Sequence, residues 1–264
     1  MVRIGYMYEN EREIASMAAR SAGEVLKEKF GKVQRIVKKG EIDLVTEADL
    51  AAEKIVLEIL RNHFPKDNIL SEEAGAHDQS SHRTWVVDPL DGTTNFAHGF
   101  PFFAVSIALE VDAKIVLGIV YNPFMDKFFE ACTGEGAFLN GGPIHVSDAS
   151  NLGESLLATG FPYDIRERSN RLFDQFRAMV VRSQGVRRAG SAAIDLCYVA
   201  AGRLDGFWEE NLKPWDTAAG AVIVLEAGGK LSTCEGQAFT PYRKSVIACT
   251  PVIHGEMIKT LVEN

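Results

Sequence analysis

The sequence predicts an α/β fold in which layered sheets are covered by helices, and three patterns predict it. Two long helical stripes open the chain, a run of five β-prone segments with turn signals follows, and the second half alternates strands with helices. That alternation is the signature of a sheet covered on both sides. At 264 residues the chain can bury a large core. It lacks a Pro/Ser-rich linker, so it reads as one compact unit over residues 1–264, with lobes of approximately 1–150 and 151–264.

Residues 9–30 carry Ile14, Met17, Ala18, Ser21, Ala22, Val25 and Leu26 at helical spacing, with Gly31 as the stop. These side chains read as core or interface. Residues 33–42 are basic, contain Gly40, and read as a loop or mobile hairpin. A second helix spans 47–64 and ends at Pro65. Strands follow at 68–71, 84–88, 102–111, 114–121 and 127–133, with turn signals at Asp112-Ala113 and Asn122-Pro123. Residues 134–143 are rich in Gly and read as a loop, without a GxGxxG fingerprint. In the second half, strands are expected at 156–160, 184–188, 205–209, 231–234 and 245–248. Helices are expected at 166–182, 191–201 and 217–227, with a last one from Val252. The first of these presents Leu172, Phe173, Phe176, Met179 and Val180 on one face.

Composition places the chain among ordinary globular proteins, with 46% hydrophobic and 24% charged residues. A net charge of −8 argues against a general nucleic-acid binder, which would show a basic surface. No apolar run reaches membrane-spanning length, and Met1-Val2-Arg3 leads into no signal-peptide core. Cys132, Cys197, Cys234 and Cys249 are scattered and read as reduced thiols of a cytoplasmic protein. The six histidines show no metal-ligand spacing.

The chemistry concentrates in residues 85–96, Trp-Val-Val-Asp-Pro-Leu-Asp-Gly-Thr-Thr-Asn-Phe. An apolar run ends in Asp88, and a turn then brings Asp91, Gly92, Thr93 and Asn95. Two such carboxylates converging on one small volume repel each other, and each is costly to bury. A hard divalent cation removes that cost, and Mg²⁺ prefers oxygen ligands. The competing reading is an Asp-Pro/Asp-Gly surface turn. Further acids reinforce the metal reading. Ser71-Glu72-Glu73 ends another short apolar run, and adjacent strand residues face opposite ways, so one Glu can be a ligand while the other is solvated. Thr46 and Asp49 resemble a capping box at the start of a helix. Asp216 opens an apolar helix, where free amides and the positive dipole end favour anions.

With these residues in view, the chain resembles the inositol monophosphatase family of metal-dependent, lithium-sensitive phosphatases. The resemblance runs from Val87-Asp88-Pro89-Leu90-Asp91-Gly92-Thr93 to His98, and from Trp215-Asp216 to Gly228-Gly229. The segments 71–73 and 43–49 match as well, in the right order. It implies an α-β-α-β-α sandwich of the inositol monophosphatase/fructose bisphosphatase type, with the site where the two halves meet. It implies two or three Mg²⁺ ions per site. Glu72, Asp88 and the Leu90 carbonyl would hold one, and Asp88, Asp91 and Asp216 a second, with Asp88 bridging ions ~3.5–4 Å apart. A third, weaker ion would use Glu72. Thr93 and Asp49 would pair and, with Glu72, orient and deprotonate the attacking water, and Glu73 would be a supporting orienter. The amides of Gly92 and Thr93 would donate to phosphate oxygens.

The resemblance also implies that the hydroxyl-bearing part of the substrate meets Gly190, Ser191, Ala192, Glu209 and Asp216. Glu210 is the competitor for the place of Glu209. Lys38 and Lys39 would close over the site, against the alternative of a solvated charge run. Arg187 and Arg188 would touch a second phosphate or serve a subunit contact. The expected activity is Mg²⁺-dependent hydrolysis of a small phosphorylated polyol or sugar, inositol 1-phosphate first, by a homodimer that Li⁺ inhibits. Fructose 1,6-bisphosphate, adenosine 3′,5′-bisphosphate and a regulatory binding role are the alternatives on the same fold. An aspartyl-phosphate mechanism fits less well, because its acids stand two residues apart whereas Asp88 and Asp91 stand three apart.

Overall fold

The computed structural model describes residues 7–32, 36–38, 44–162 and 165–263. Helix α1 (Glu9–Lys29) buries Ile14, Ala15, Ala18, Ala22 and Leu26, with Glu9 and Glu11 in its first turn and Lys27 and Lys29 in its last. Those charges complement the helix dipole. Strands β1 (Ile36–Lys38) and β2 (Leu44–Thr46) pair antiparallel, so part of the segment read as loop or hairpin is a hairpin arm. Helix α2 (Glu47–His63) starts at Thr46, whose hydroxyl accepts from the Ala48 amide while Asp49 accepts from the Thr46 amide. The expected capping box is therefore present.

Strands β3 (Asn68–Ser71), β4 (Gly75–His77), β5 (Arg83–Asp91), β6 (Ala104–Val111), β7 (Lys114–Asn122), β8 (Lys127–Cys132), β9 (Gly136–Leu139) and β10 (Gly142–Ile144) form one sheet. Its order is β10-β9-β8-β7-β6-β5-β3-β4. The short helix α3 (Thr93–Ala97) follows β5. The segment 134–143, expected to be a loop, is largely a hairpin. Asn140 and Gly141 both take positive φ, 49° and 78°, the backbone of a tight two-residue turn for which Asn-Gly is the usual pair.

The second sheet contains β11 (Leu156–Thr159), β12 (Gly185–Arg187), β13 (Gly206–Glu210), β14 (Lys230–Ser232) and β15 (Ser245–Cys249), in the order β12-β11-β13-β15-β14. The helices of this half are α4 (Ile165–Val180), α5 (Ala192–Ala200), α6 (Pro214–Glu226) and α7 (His254–Val262). On α4, Leu172 and Met179 are buried as expected, but Phe173 and Val180 are exposed, as is Met17 on α1.

Strand alternation sets the layers. Val87, Val105 and Ile107 face a core with α1 and α2, whereas Val86, Ala104 and Ala108 face a second core with α5 and α6. Phe207 and Ala248 of the second sheet join that second core. Their neighbours Trp208 and Ile247 face a third, with Met179 of α4 and Met257 of α7. The result is the α-β-α-β-α sandwich, with α5 and α6 between the sheets. Helix α6 can press on β7 because Gly118 has no side chain: a Cβ there would stand 2.5 Å from the Ala219 carbonyl oxygen.

Candidate active site

A β-bulge makes the acid pair. In β5, Asp88 is opposite Ser106 and Asp91 is opposite Ala104, so three steps on one strand match two on the other. Residues three apart on a regular strand point to opposite faces, and the extra residue brings Asp88 and Asp91 to the same face. Pro89, which has no amide hydrogen to donate to a ladder, sits inside the irregularity. That face looks toward α6, where the Ser106 hydroxyl donates to the Trp215 carbonyl at 3.2 Å.

Three more features complete the acid cluster. Asp216 lies in the first turn of α6 after Pro214, and accepts from the Lys213 amide at 2.7 Å. One oxygen from each of Asp88, Asp91 and Asp216 lies within 4.8 Å of the others, an arrangement that can hold a metal ion. Asp91 also accepts from the Ser191 hydroxyl at 2.5 Å and the Ala193 amide at 2.8 Å, at the start of α5. Glu72 stands outside the triad but lines the same cavity.

Electrostatics follows from burial. The Asp88 and Asp216 carboxyls are held well above the usual range, by burial first and then by neighbouring acids. Burial raises Asp91 to about 6, although its hydrogen bonds pull the other way. Packed together, these acids hold a proton more tightly than free carboxyl groups do. The donor set is all oxygen, which suits a hard divalent ion. The residues therefore fit the metal that the sequence implies.

Thr93 begins α3 behind Gly92, whose φ of 95° and 2.9 Å approach of a built Cβ to the Phe102 carbonyl both require glycine. The Thr93 hydroxyl is 2.9 Å from Asp49 Oδ1 and 3.1 Å from the Leu90 carbonyl. Asp49 is fully buried and does not itself line the cavity, so it reaches the site through Thr93.

The cavity, about 490 Å³, spans both halves. Glu72, Asp88, Leu90, Asp91, Gly92 and Thr93 line it from the first half. Gly190, Ser191, Ala192, Glu209 and Asp216 line it from the second. Glu209 occupies the space that a Gly160 side chain would need. Burial, then the charge of Asp195, pushes the Glu209 carboxyl up to about 8, with Arg188 opposing. Its competitor Glu210 carries its carboxylate to the other face of β13, where Oε1 stands 2.9 Å from Arg171.

Other expected residues lie off this wall or outside the described residues. Glu73 is not on the cavity wall, and its amide donates to Glu53 at 3.1 Å. Arg187 is exposed and off the cavity wall, because it alternates with its neighbour Arg188, which lines the cavity. Lys39, Asp43 and the Lys38 side chain lie outside the described residues.

Two contributors have roles that the sequence does not assign. Asn95 Nδ2 donates to the Phe102 carbonyl at 2.7 Å and the Ala189 carbonyl at 2.9 Å, tying the motif turn to the loop before α5. Its place inside the 85–96 motif was the available signal. Glu53 accepts from the Ser71 hydroxyl and the Glu73 and Ala74 amides, and so fixes the segment that presents Glu72. An acid in the middle of a helix carries no comparable signal.

A layered α/β sandwich with clustered carboxylates beside two helix N-termini defines a site for metal-assisted chemistry on a phosphate ester. The inositol monophosphatase family matches residues 7–264, and the chain belongs to that family. It is 47% identical to an inositol-1-monophosphatase of Synechocystis sp. over 251 residues, 94% of this chain and 88% of that protein. Among solved structures, the extragenic suppressor protein suhB of Bartonella henselae superposes with a TM-score of 0.92 at 42% identity, covering 96% of this chain and 98% of that one. The inositol monophosphatase of Anabaena (Nostoc) sp. PCC 7120 gives 0.89 at 40% identity, covering 98% and 97%. The protein is a phosphoric monoester hydrolase. No helix among its described residues is long and apolar enough to cross a membrane.

Proposed function

We propose that this chain hydrolyses a small phosphorylated polyol, inositol 1-phosphate first, in an Mg²⁺-dependent reaction with direct attack by water. The observation that carries this reading is the Asp88–Asp91–Asp216 triad, with Glu72 on the same cavity wall. Mg²⁺ in that cluster would neutralise the phosphate and lower the pKa of a water. Glu72, Asp88, Asp91, Asp216 and the Leu90 carbonyl are the residues that would hold it, at two or three positions.

The chain's own groups do the rest. Thr93 and Glu72 hold the attacking water in line, and its proton passes to the Thr93 hydroxyl as that hydroxyl hands its own proton to Asp49 Oδ1. The Gly92 and Thr93 amides and the positive ends of α5 and α6 favour the phosphate oxygens. Glu209 and the 190–192 segment hold the polyol. Chemistry of this kind needs positioning and electrostatics more than covalent participation.

The same reading takes the chain as a cytoplasmic homodimer. Four buried free cysteines suit a reducing compartment. Steady-state hydrolysis of inositol 1-phosphate with and without Mg²⁺ tests the proposal, and full activity after chelation sinks it. Li⁺ is expected to inhibit mostly without competing with substrate, since it would hold the product complex; relief by excess substrate would instead place it on the entry path.

A further inference from the structure

We infer that Asp195 is a specificity-determining acceptor for substrate hydroxyl groups, acting beside Glu209 on the cavity wall. The inference rests on the phosphatase reading above and extends it to a residue that the resemblance does not assign.

Asp195 is the one charged residue of α5, whose sequence is Ala-Ala-Ile-Asp-Leu-Cys-Tyr-Val-Ala. It is 2% exposed and lines the cavity. Among the described residues its carboxylate has no hydrogen-bond or ion-pair partner. Three buried acids off the cavity wall are treated differently. Asp49 accepts from Thr46 and Thr93, Asp67 from Arg83 and Trp85, and Glu53 from Ser71 and two amides. Burying a carboxylate without a partner is costly, so a purely packed position would favour an apolar side chain. A cavity-lining acid without a protein partner is instead ready to accept donors from a ligand.

The surroundings narrow the donor. The charge of Asp195 is felt at Glu209, and the Arg188 charge is felt at both acids. Burial raises both carboxyl groups, and two acids with one guanidinium form a poor seat for a second phosphate, which the ionised acids repel and only Arg188 attracts. They form a good seat for neighbouring hydroxyls, which donate to carboxylates and accept from arginine. The geometry therefore favours a polyol with free hydroxyls over a bisphosphate.

The test uses the purified full chain with Mg²⁺. It compares wild type, Asp195→Ala and Asp195→Asn on inositol 1-phosphate, its monodeoxy analogues, an amino-sugar phosphate and p-nitrophenyl phosphate. Loss of a buried hydrogen bond predicts that Asp195→Ala lowers kcat/KM for inositol 1-phosphate relative to p-nitrophenyl phosphate by about tenfold, through KM more than kcat. Asp195→Asn, which keeps an acceptor, recovers part of that ratio. One monodeoxy analogue already loses this factor with wild type and loses no more with Asp195→Ala. Thermal melting confirms that both variants fold. An equal loss on all esters, an unchanged ratio, or indifference of the wild type to every deoxy analogue overturns the inference. A wild-type preference for the amino-sugar phosphate overturns it in favour of cation recognition. Hydrolysis of none of these esters by wild type removes the phosphatase reading itself, and is thereby told apart from failure of the Asp195 assignment.

Discussion

The Thr93 hydroxyl stands 2.9 Å from Asp49 Oδ1, while Asp49 Oδ2 accepts from the amide and hydroxyl of Thr46. One buried carboxylate thus caps α2 and anchors the hydroxyl at the cavity wall. The two readings that the sequence allows for Asp49, helix cap and partner of Thr93, are compatible, one on each oxygen. The start of α2 is thereby tied to the turn that carries the acid pair.

This division separates two variants. Thr93→Ala is expected to lower kcat by a factor on the order of 10²–10⁴ with little change in KM, because the contact matters mainly in the transition state. Its melting temperature should fall modestly, because the buried Asp49 Oδ1 loses its donor while Oδ2 keeps both of its own. Asp49→Ala removes the cap as well, and should lose activity together with about 1 kcal/mol of stability beyond that of Thr93→Ala. Steady-state kinetics and thermal melting on both variants check the split. Trapping a phosphorylated Asp88 or Asp91 during turnover would replace water attack by a covalent route.

The acid cluster predicts a stability gain from a disabling mutation. The folded-state pKa of Asp88 lies well above its ordinary value. The folded state therefore binds the proton more tightly than the unfolded state, and stability falls as pH rises through the folded pKa. Asp88→Asn removes that penalty. Without metal it should melt like wild type near pH ~4 and above wild type by a few degrees at pH ~7–8. Saturating Mg²⁺ should reverse the order, since only wild type then gains binding energy. Chelation of wild type should lower its melting temperature and abolish hydrolysis. Equal melting of the two metal-free proteins at all pH values would falsify the account.

The fold and the acid motifs were legible because each rests on local chemistry. Helical stripes, strand alternation and the Asp-Pro-Leu-Asp-Gly-Thr turn are written in consecutive residues. Convergence was less visible. Asp88 and Asp91 share a face only through the bulge opposite Ser106 and Ala104, which depends on the partner strand. The split of Glu209 from Glu210 depends on the register of β13, and the role of Arg188 rather than Arg187 on that of β12. Contacts such as Glu53 with Ser71 span 18 residues and leave no periodic trace.

Close packing of α6 on β7 gives a prediction about distant control of Asp216. A Cβ on Gly118 would meet the Ala219 carbonyl at 2.5 Å and Val222 Cγ1 at 2.6 Å. Helix α6 must then retreat, and Asp216 in its first turn moves with it. Gly118→Val is expected to cost at least ~1–3 kcal/mol of stability by overpacking. It should also raise the Mg²⁺ concentration needed for half-maximal activity. Loss of stability with an unchanged Mg²⁺ response would mean that the helix start is held independently of this contact.

Glu53 tests whether the Glu72 segment must be held in place. Its Oε1 accepts from the Ser71 hydroxyl, the Glu73 amide at 3.1 Å and the Ala74 amide at 2.9 Å. Ser71 is fully buried, so its donor has no access to water once Glu53 is gone, whereas the part-exposed amides can be rehydrated. One orphaned buried donor costs roughly 1–3 kcal/mol, and Glu53→Ala should destabilise by about that much. Released from its acceptor, the 72–74 turn should sample more positions, so Glu72 meets its ion less often. Half-maximal activity would then require more Mg²⁺. Glu53→Gln keeps the accepting oxygen and should retain most of both properties. Melting temperatures and Mg²⁺ titrations of hydrolysis on the two variants make the comparison. A Glu53→Ala protein that melts lower but keeps the wild-type Mg²⁺ response would confine Glu53 to stability.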